Sequence, residues 1–594
     1  MEKIFKIVVV VLLQFHTSIM FGAYLENVPI EVKQPDGTVI KLYETGDEYY
    51  NWMHDENGYT VVINSKTKYY CYATLKNGEL IASSNIVGKC NPQKIGLKHG
   101  INLSADKIGE IRKTAFDYMH GNDVENAVAN RTVLKATPKT QTPFRKINNI
   151  VVFIRFADQT EFETPKYYYS AIFNGSATGS NSMYNYFKEA SYGNLEINST
   201  FYPASTGTKI LSYQDIYQSG YYMTTGESGE IGYSSFAERI KRERELISRA
   251  INSVKSQIPT TLDIDNNNDE YVDNICFIVK GDKTGWNTLL WPHKYELTKE
   301  DSINGKKVLY YNFQIENHIK ENGVGVLCHE MNHTLGAPDL YHRDDHADPV
   351  EKWCLMARDI NPPQHMCAYV KYKYNGWIAE IPSITKSGTY TLNPLTSATN
   401  NCYKIAIKGS AEYLVLEYRR KIGTFESGIY GSGLVVYRIN ENNGGNYNGK
   451  GYGGKEDVVY VFRPNGSLYR KGDISQAFLS AQAGRNSFNN GTNPYCFVSN
   501  GNNGNIYIKD IKEINGKLTF DVRFCDGTNI VKSNTSNLPE LTNASNSIVT
   551  QNTVIVKNTD NVIFEAASEV TLNPGFEVKL GGTFEINMNG CGEK

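Results

Sequence analysis

The feature that most constrains this chain is the phrase His329-Glu330-x-x-His333, which lies in the segment running from Cys328 to Tyr341. On a helix, histidines at this spacing place both imidazoles on one face, one turn apart. Two neutral imidazole nitrogens at about 2.0–2.1 Å suit Zn²⁺. Glu330 would lie beside the metal, where a carboxylate can take a proton from zinc-bound water. The phrase therefore predicts a helix that starts near Gly323 and carries two zinc ligands and a general base.

The motif itself does not fix the third ligand. Gly336 is placed to end the helix, and Asp339 then offers a hard oxygen that completes three protein ligands and leaves one position open. A carboxylate that forms the turn or orients another ligand is the alternative interpretation of Asp339. The charged stretch that follows holds the other candidates: His342, Asp344, Asp345, His346 and Glu351.

The N-terminus has the pattern of a secretory signal peptide over residues 1–23. Lys3 and Lys6 precede an apolar run, and Phe21-Gly22-Ala23 offers small residues for cleavage. This apolar run is interrupted well short of the ~20 apolar residues that a membrane span needs, by Gln14, His16, Thr17 and Ser18. We therefore predict a protein that is secreted or associated with the cell surface, with no transmembrane segment.

Composition limits the remaining classes. A chain of 594 residues exceeds what one hydrophobic core usually holds, so several domains are expected. Lys and Arg together number 61 against 63 for Asp and Glu, and this balance does not indicate a nucleic-acid partner. With 10 cysteines in an exported chain, disulfides are possible, and the near-neighbour candidates are Cys71 with Cys90, Cys354 with Cys367, and Cys525 with Cys591.

The chain divides into regions of different pattern. Alternating strands and Asn-Gly or Asp-Gly turns predict a β-rich module, followed by a polar linker, over residues 24–145. A mixture of buried strands and amphipathic helices predicts an α+β domain over 146–385. Successive strands predict a β-sandwich-like domain over 386–525 and a small β-rich C-terminal module over 526–594.

Within residues 146–385 the pattern predicts particular elements. The apolar runs 150–154 and 275–279 are typical of buried strands. A helix is expected over 183–190, with Ser182 as its N-cap, and a longer amphipathic one over roughly 236–256.

An acidic loop before the second buried strand is a candidate calcium site. Asp265, Asn267, Asp269 and Asp273 place oxygen-bearing side chains at loop positions 1, 3, 5 and 9. Glu270 stands where such loops usually have glycine. A turn rich in Asn and Asp is the alternative interpretation.

Taken together, the phrases of this chain resemble the immune-inhibitor-A-like zinc metallopeptidases, a secreted bacterial family related to the metzincins. In His329-Glu330-x-x-His333-x-x-Gly336-x-Pro338-Asp339-x-Tyr341, Asp339 has the metzincin spacing for a third ligand. In Trp353-Cys354-Leu355-Met356-Ala357, Met356 resembles the metzincin Met-turn, which forms an apolar floor under the ligands. Further similar phrases are Asn149–Ile154, Phe187 with Ser191-Tyr192-Gly193, Pro363 to Tyr369, Tyr374-Asn375-Gly376-Trp377, and, near the N-terminus, Gln34–Gly37 and Gly46–Tyr50.

The resemblance implies a zincin-like α+β catalytic domain between an N-terminal β-rich propeptide and all-β C-terminal modules. It implies zinc on His329 and His333, catalysis by Glu330, and Asp339 as the third ligand. The expected activity is that of a secreted zinc endopeptidase, made as a zymogen, that hydrolyses extracellular proteins or peptides through a zinc-bound water. Surface or matrix attachment through the C-terminal module is a possible further role.

A second class of function fits the β-rich C-terminal half. The chain would then be a secreted adhesin or binding protein whose zinc site is degenerate or structural. A structural zinc site is closed by four protein ligands, whereas a catalytic one keeps an open position. Proteolysis that a chelator abolishes separates the two classes.

Overall fold

The computed structural model describes residues 25–47, 49–119, 145–225, 231–281, 293–342, 348–441, 446, 454 and 457–588. The predicted signal peptide at 1–23 and Cys591 lie outside the described residues. The chain is multidomain and mostly β-rich, with five sheets among the described parts. No helix in those parts has the length and apolar character needed to cross a membrane.

The N-terminal sheet is an antiparallel meander of six strands. Its core includes Ile30, Val32 and Leu42, and every second position of β2 is buried, as expected of a sheet with one covered face. The strands are β1 (Leu25–Lys33), β2 (Val39–Gly46), β3 (Asn51–His54), β4 (Thr60–Ile63), β5 (Tyr70–Lys76) and β6 (Glu79–Ile86).

A helix follows where the sequence pattern indicates a polar linker. Helix α1 (Ala105–Met119) begins at Ser104, whose hydroxyl accepts from the backbone N–H of Lys107 at 3.3 Å. Ile108 and Arg112, one turn apart, are both buried. A buried arginine at the core-facing position breaks the apolar periodicity, which is why the pattern did not indicate this helix.

The central sheet is mainly parallel and carries the metal motif. Its strand order is β11-β12-β10-β7-β8, β9 pairs with β7, and β11 at one edge runs antiparallel to β12. The strands are β7 (Arg145–Arg155), β8 (Leu195–Tyr202), β9 (Tyr213–Gln214), β10 (Ile275–Val279), β11 (His293–Ile303) and β12 (Lys306–Ile315).

Both faces of this sheet are covered, so the runs 150–154 and 275–279 of two inner strands are apolar at every position. Along β7, Val151 and Phe153 belong to one apolar cluster, and Ile150, Val152 and Ile154 belong to the cluster on the other face. The helices of this region are α2 (Lys166–Asn174), α3 (Met183–Ala190), α4 (Phe236–Val254), α5 (Glu316–Asn322), α6 (Val324–Thr334) and α7 (Ala368–Lys373).

The elements expected in the central region are present. The hydroxyl of Ser182 accepts from the backbone N–H of Asn185 at 3.1 Å, which caps α3 as predicted. Strands β7 and β10 contain the two apolar runs, and α4 covers the predicted amphipathic segment. Cluster residues of α3 and α6 lie on one face of the sheet, and those of α4 lie on the other.

Beyond the central region the regular elements among the described residues are strands, apart from one short 3-10 helix at Ile474–Gln476. One sheet has the order β13-β20-β19, and another has β14-β15-β16-β17 with β18 paired to β16. The strands are β13 (Gly388–Leu392), β14 (Cys402–Ala406), β15 (Tyr413–Arg419), β16 (Gly433–Ile439), β17 (Val459–Val461), β18 (Phe478–Leu479), β19 (Tyr507–Ile514) and β20 (Lys517–Arg523).

The C-terminal strands pair in parallel. Paired residues such as Leu541 and Ile563 are about 22 residues apart in the chain, which is the length of one coil. The rings of Phe564, Phe576 and Phe584 pack against one another between these strands. This arrangement is typical of a small β-solenoid. The strands are β21 (Gly527–Thr535), β22 (Leu541–Val556), β23 (Asn561–Ala566), β24 (Glu569–Thr571), β25 (Phe576–Val578) and β26 (Thr583–Asn587).

Two of the candidate disulfides are wrong. Cys71 and Cys90 are free, and so are Cys354 and Cys367. In the second pair the backbone N–H of Cys367 instead donates to the sulfur of Cys354 at 3.4 Å. Cys525 is disulfide-bonded, and its candidate partner lies outside the described residues.

Candidate metal centre

Glycines set both ends of the motif helix α6. Gly323 precedes it with a φ of +62°, and Gly336 follows it with a φ of +97°, both in the region that favours glycine. A Cβ on Gly325 would lie 2.3 Å from the carbonyl oxygen of Ile360, so the first turn of α6 packs closely against the segment that contains Ile360. The glycines and this close packing therefore set the position and length of α6 independently of its polar side chains.

Three side chains meet at the end of this helix. The Nε2 atoms of His329 and His333 are 3.1 Å apart. Asp339 Oδ1 lies 3.0 Å from Nε2 of His329 and 3.4 Å from Nε2 of His333. Ligand atoms of a tetrahedral site with bonds of ~2.0–2.1 Å are about 3.3 Å apart, so the triangle has the edges that Zn²⁺ requires. Among the described residues this is the one cluster of histidine, cysteine and carboxylate side chains close enough to hold a metal.

Backbone carbonyls orient both imidazoles. His329 Nδ1 is 3.0 Å from the carbonyl oxygen of Leu355, and His333 Nδ1 is 2.8 Å from that of Ala337. A carbonyl only accepts, so each Nδ1 carries the proton and donates. In the neutral imidazoles each Nε2 is then the unprotonated nitrogen, and both point to the same place, as in metal-ligating histidines.

The electrostatics of the cluster favour a cation between these side chains. All three are at most 2% exposed. Burial opposes a charge on His329, but its hydrogen bond to Asp339 and the charge of that carboxylate raise its pKa to about 10. Burial lowers the pKa of His333, although Asp339 opposes that shift. The second carboxylate oxygen of Asp339 is buried and has no hydrogen-bond partner. One carboxylate and two imidazoles thus suit a divalent cation, whose charge compensates Asp339.

Glu330 lies next to this cluster. It is fully buried on α6, and its negative charge contributes to the raised pKa of His329. Burial raises the pKa of the Cys276 thiol, and the charge of Glu330 raises it further, so Glu330 lies near the start of β10. The carboxylate is therefore beside the three converging atoms and is not one of them.

The predicted Met-turn packs directly against the cluster. Met356 is fully buried, and its carbonyl oxygen accepts from the backbone N–H of Leu340 at 2.7 Å. The neighbouring Leu355 supplies the carbonyl that orients His329. This turn thus ties the segment that carries Asp339 to the motif helix.

The rival third ligands lie elsewhere or outside the described residues. His342 pairs with Asp457 at 2.5 Å, and both are buried. Glu351 accepts a hydrogen bond from the hydroxyl of Tyr430. Asp344, Asp345 and His346 fall in residues 343–347, outside the described parts. Of the candidates that are described, Asp339 is the one brought to the two histidines.

The candidate calcium loop is closed by its own hydrogen bonds. Asp265 accepts from the backbone N–H of Asp269 at 2.9 Å and from that of Glu270 at 3.1 Å. Asp273 accepts from the backbone N–H of Asn266 at 2.9 Å. Glu270 has a φ of +69°, the conformation for which calcium loops use glycine at this position.

A lysine also points into this loop. Lys306 Nζ lies 2.9 Å from Asp265 Oδ2 and 3.0 Å from Glu270 Oε1. The ammonium group supplies positive charge beside these two carboxylates. A turn rich in Asn and Asp that is closed in this way needs no metal ion to balance its charge. The tight turn was predictable from sequence, whereas the lysine, from the following hairpin, was not.

The sequence did not predict that the N-terminal module lies near the metal centre. Asp47 is 1% exposed, and its Oδ2 lies 2.6 Å from the guanidinium of the fully buried Arg112. Burial raises the pKa of Asp47, Arg112 opposes that shift, and the charge of Asp339 adds to it. Glu44 Oε2 is 3.6 Å from Nε2 of His318 on α5. We call residues 44–47 and 49–50 the docking turn; the sequence marked it only by the family-like phrase Gly46–Tyr50.

A second link holds the end of α6. The Nζ of the buried Lys294 donates to the carbonyl oxygen of His333 at 3.1 Å. A cation at the C-terminus of a helix also interacts favourably with the helix dipole. Asn375 donates to the side chain of Asn332 at 2.8 Å on the neighbouring turn. No motif marks Lys294, and the phrase that contains Asn375 predicts no contact for it, so only the tertiary structure identifies these two links.

The comparisons with known proteins agree with the motif. Residues 280–360 match the sequence model of the immune inhibitor A peptidase M6 catalytic domain, and the resemblance given by the motif is confirmed over that stretch. The match supports a metallopeptidase. No curated protein matches the chain.

Solved structures give weaker similarities. Metalloproteinase-II from Bacteroides fragilis is 11% identical, with 59% of this chain and 85% of that chain covered and a TM-score of 0.20. OgpA from Akkermansia muciniphila, in complex with an O-glycopeptide, is 12% identical, with 48% and 74% covered and a TM-score of 0.21. At these scores the overall superposition supports no further argument.

Proposed function

We propose that this chain is a secreted zinc endopeptidase that hydrolyses extracellular proteins or peptides, with His329, His333 and Asp339 as metal ligands. The observation that carries the proposal is the triangle of Nε2 and Oδ1 atoms, with edges of 3.0 to 3.4 Å. Three protein ligands leave one of four tetrahedral positions open, as in catalytic rather than structural zinc sites. Zinc bound there would lower the pKa of water and polarise the scissile carbonyl.

The residues of the chain then act around that position. Glu330 accepts a proton from the attacking water and returns it to the leaving amine. The carbonyls of Leu355 and Ala337 hold the imidazoles in one tautomer.

Zinc content measured together with casein hydrolysis tests the proposal directly. We expect about one zinc per chain and a proteolysis that stops on chelation and returns with Zn²⁺. A chain that holds zinc but hydrolyses no protein or peptide after activation would instead be the adhesin or binding protein with a structural site. Secretion is tested separately, by recovery of the chain from culture medium with an N-terminus near residue 24.

We further propose that the chain is made as a zymogen whose N-terminal module covers the metal centre. The burial of all three ligands and of Asp47 supports this arrangement. So does the buried pair of Glu44 with His318, which joins the module to α5. The buried pair of Asp47 with Arg112 lies within the module and holds the docking turn in place. Removal of residues upstream of the central region would then expose the site to substrate.

Arg112→Met is expected to release this latency. Removing one partner of a buried ion pair leaves the other charge uncompensated and costs ~3–5 kcal/mol. The full chain should therefore hydrolyse a fluorogenic peptide at least about ten-fold faster, since ~1.4 kcal/mol corresponds to a factor of ten.

Lys107→Met is the matched control for this variant. Lys107 lies on the same helix, and its ion pair with Glu79 is partly exposed, so its loss should change the rate little. Thermal unfolding of both variants shows whether the module has merely unfolded. Equal, low activity in Arg112→Met and the parent chain would contradict the proposal that the pair of Asp47 and Arg112 keeps the chain latent.

Calcium in the loop that starts at Asp265 stays a proposal, because Lys306 competes for the same carboxylate. If calcium binds, the ion displaces that ammonium, and calcium at 100 times its Kd adds ~2.7 kcal/mol of stability. The melting temperature should then rise on adding calcium, and Asp265→Ala should abolish the rise. A melting temperature that does not respond to calcium would leave the loop as a lysine-closed turn.

A further inference from the structure

The core around the motif helix continues into the sheet β14-β15-β16-β17. Val415 of β15 belongs to the same apolar cluster as Leu355 and Met356 of the Met-turn. Side chains alternate between the two faces of a strand, so Glu417 and Arg419 face the same side as Val415. Both charged side chains are fully buried, and they place an ion pair in the layer that packs under the metal centre.

Arg419 is oriented by a two-point contact with one carboxylate. Its Nε lies 2.7 Å from Oε2 of Glu426, and its Nη2 lies 2.5 Å from Oε1 of the same group. Its Nη1 lies 3.2 Å from Oε1 of Glu417 and donates to the carbonyl oxygen of Trp353 at 2.5 Å. A guanidinium is flat and its donors are fixed relative to one another, so the contact with Glu426 directs Nη1 at Trp353.

The same two carboxylates also hold the chain that follows the Met-turn. Oε1 of Glu426 accepts from the backbone N–H of His365 at 3.0 Å. Oε2 of Glu417 accepts from the backbone N–H of Ala368 at 2.7 Å. Segments on both sides of the Met-turn are therefore anchored to one cluster of buried charges.

The Met-turn connects this cluster to the metal ligands. Two residues after Trp353, the carbonyl oxygen of Leu355 lies 3.0 Å from Nδ1 of His329. The carbonyl oxygen of Met356 accepts from the backbone N–H of the residue after Asp339 at 2.7 Å. A displacement of the Trp353 carbonyl therefore reaches two of the three ligands through a few bonds of backbone.

We propose that Arg419 is a positioning residue for the metal centre, which acts through the carbonyl oxygen of Trp353 and the Met-turn. The proposal rests on the proposed function, since it names a residue that supports the same zinc site. It makes the sheet β14-β15-β16-β17 a part of the working peptidase. A side chain that orients a ligand directly contributes about 10–100-fold to metal affinity, so a residue that acts one step further away is expected to contribute about ten-fold.

Zinc affinity tests this role without relying on hydrolysis. The variant is Arg419→Lys in the full chain, which keeps the buried positive charge but loses the two-point contact and the donor directed at Trp353. Competition with a chromophoric chelator should show that zinc binds about ten-fold more weakly. The visible absorption bands of Co²⁺ placed in the same site depend on the geometry of its ligands, so these bands should shift.

Arg438→Lys is the matched control. Arg438 is also fully buried and lies on β16 of the same sheet. It faces the opposite side, where its guanidinium lies over the rings of Tyr460 and Phe497. Thermal unfolding should show a similar loss of stability in both variants, whereas the zinc affinity and Co²⁺ spectrum of Arg438→Lys should match those of the parent chain.

Glu426→Gln carries the test if Arg419→Lys does not fold. The amide keeps the shape of the side chain but offers one acceptor oxygen in place of two, so Arg419 loses the contact that orients it. Zinc should again bind more weakly than in the parent chain, and the Co²⁺ bands should shift in the same direction.

The outcomes separate the positioning role from the proposed function. Parent-like zinc affinity and Co²⁺ spectra in Arg419→Lys and Glu426→Gln, or an equal loss of zinc affinity in Arg438→Lys, would overturn the positioning role. Zinc binding that depends on Arg419 in a chain that hydrolyses no peptide would keep this role and overturn the peptidase. A parent chain that binds no zinc would overturn both.

Discussion

Glu330→Gln should abolish peptide hydrolysis while the protein still binds zinc. The amide keeps the shape of the buried side chain but cannot accept the proton from water, and general acid–base catalysis contributes ~10²–10⁴-fold to a rate. Glu330 is not one of the three converging ligands, so metal content should be unchanged. The measurements are zinc stoichiometry and kcat/KM on a fluorogenic peptide, both in the Arg112→Met background so that the site is open.

The matched control is Glu245→Gln, which changes an exposed carboxylate on α4. It should keep both zinc and activity. A Glu330→Gln protein that hydrolyses peptides at the parent rate would refute the general-base role. A protein that loses zinc would instead show that Glu330 is a ligand.

His333→Ala should remove the metal itself. It deletes one of three donor atoms and leaves the carboxylate of Asp339 with a single imidazole partner. Loss of a side chain that only orients a ligand costs about 10–100-fold in metal affinity, and loss of a direct ligand should cost more. Zinc affinity, measured by competition with a chromophoric chelator, should fall by more than about 100-fold, and activity should fall with it.

The control for this variant is His99→Ala, since His99 is exposed and lies in the N-terminal module. The same assay identifies the third ligand by comparing Asp339→Asn with Glu351→Gln. Asp339→Asn should weaken zinc binding strongly, and Glu351→Gln should not. The reverse result would assign the third position to Glu351.

The local patterns of this chain determined its central elements. The i, i+4 histidines place both imidazoles on one face of α6 because a helix repeats every 3.6 residues. The runs 150–154 and 275–279 are apolar throughout because both faces of the parallel sheet are covered. Ser182 caps α3 through the hydrogen bond that its position predicted. These features depend on neighbours in the chain, so the sequence by itself specifies them.

Other features depend on contacts between distant segments, and only the tertiary structure decided them. The placement of Asp339, rather than His342 or Glu351, beside the two histidines follows from where the chain returns after Gly336, and Leu355 orients His329 from 26 residues away. The same holds for the docking turn: Asp47 and Tyr49 are ordinary surface residue types until α1 and the central sheet bury them. Periodicity carries no information about such pairings, because burial of a charge or a ring is settled by the partner that covers it.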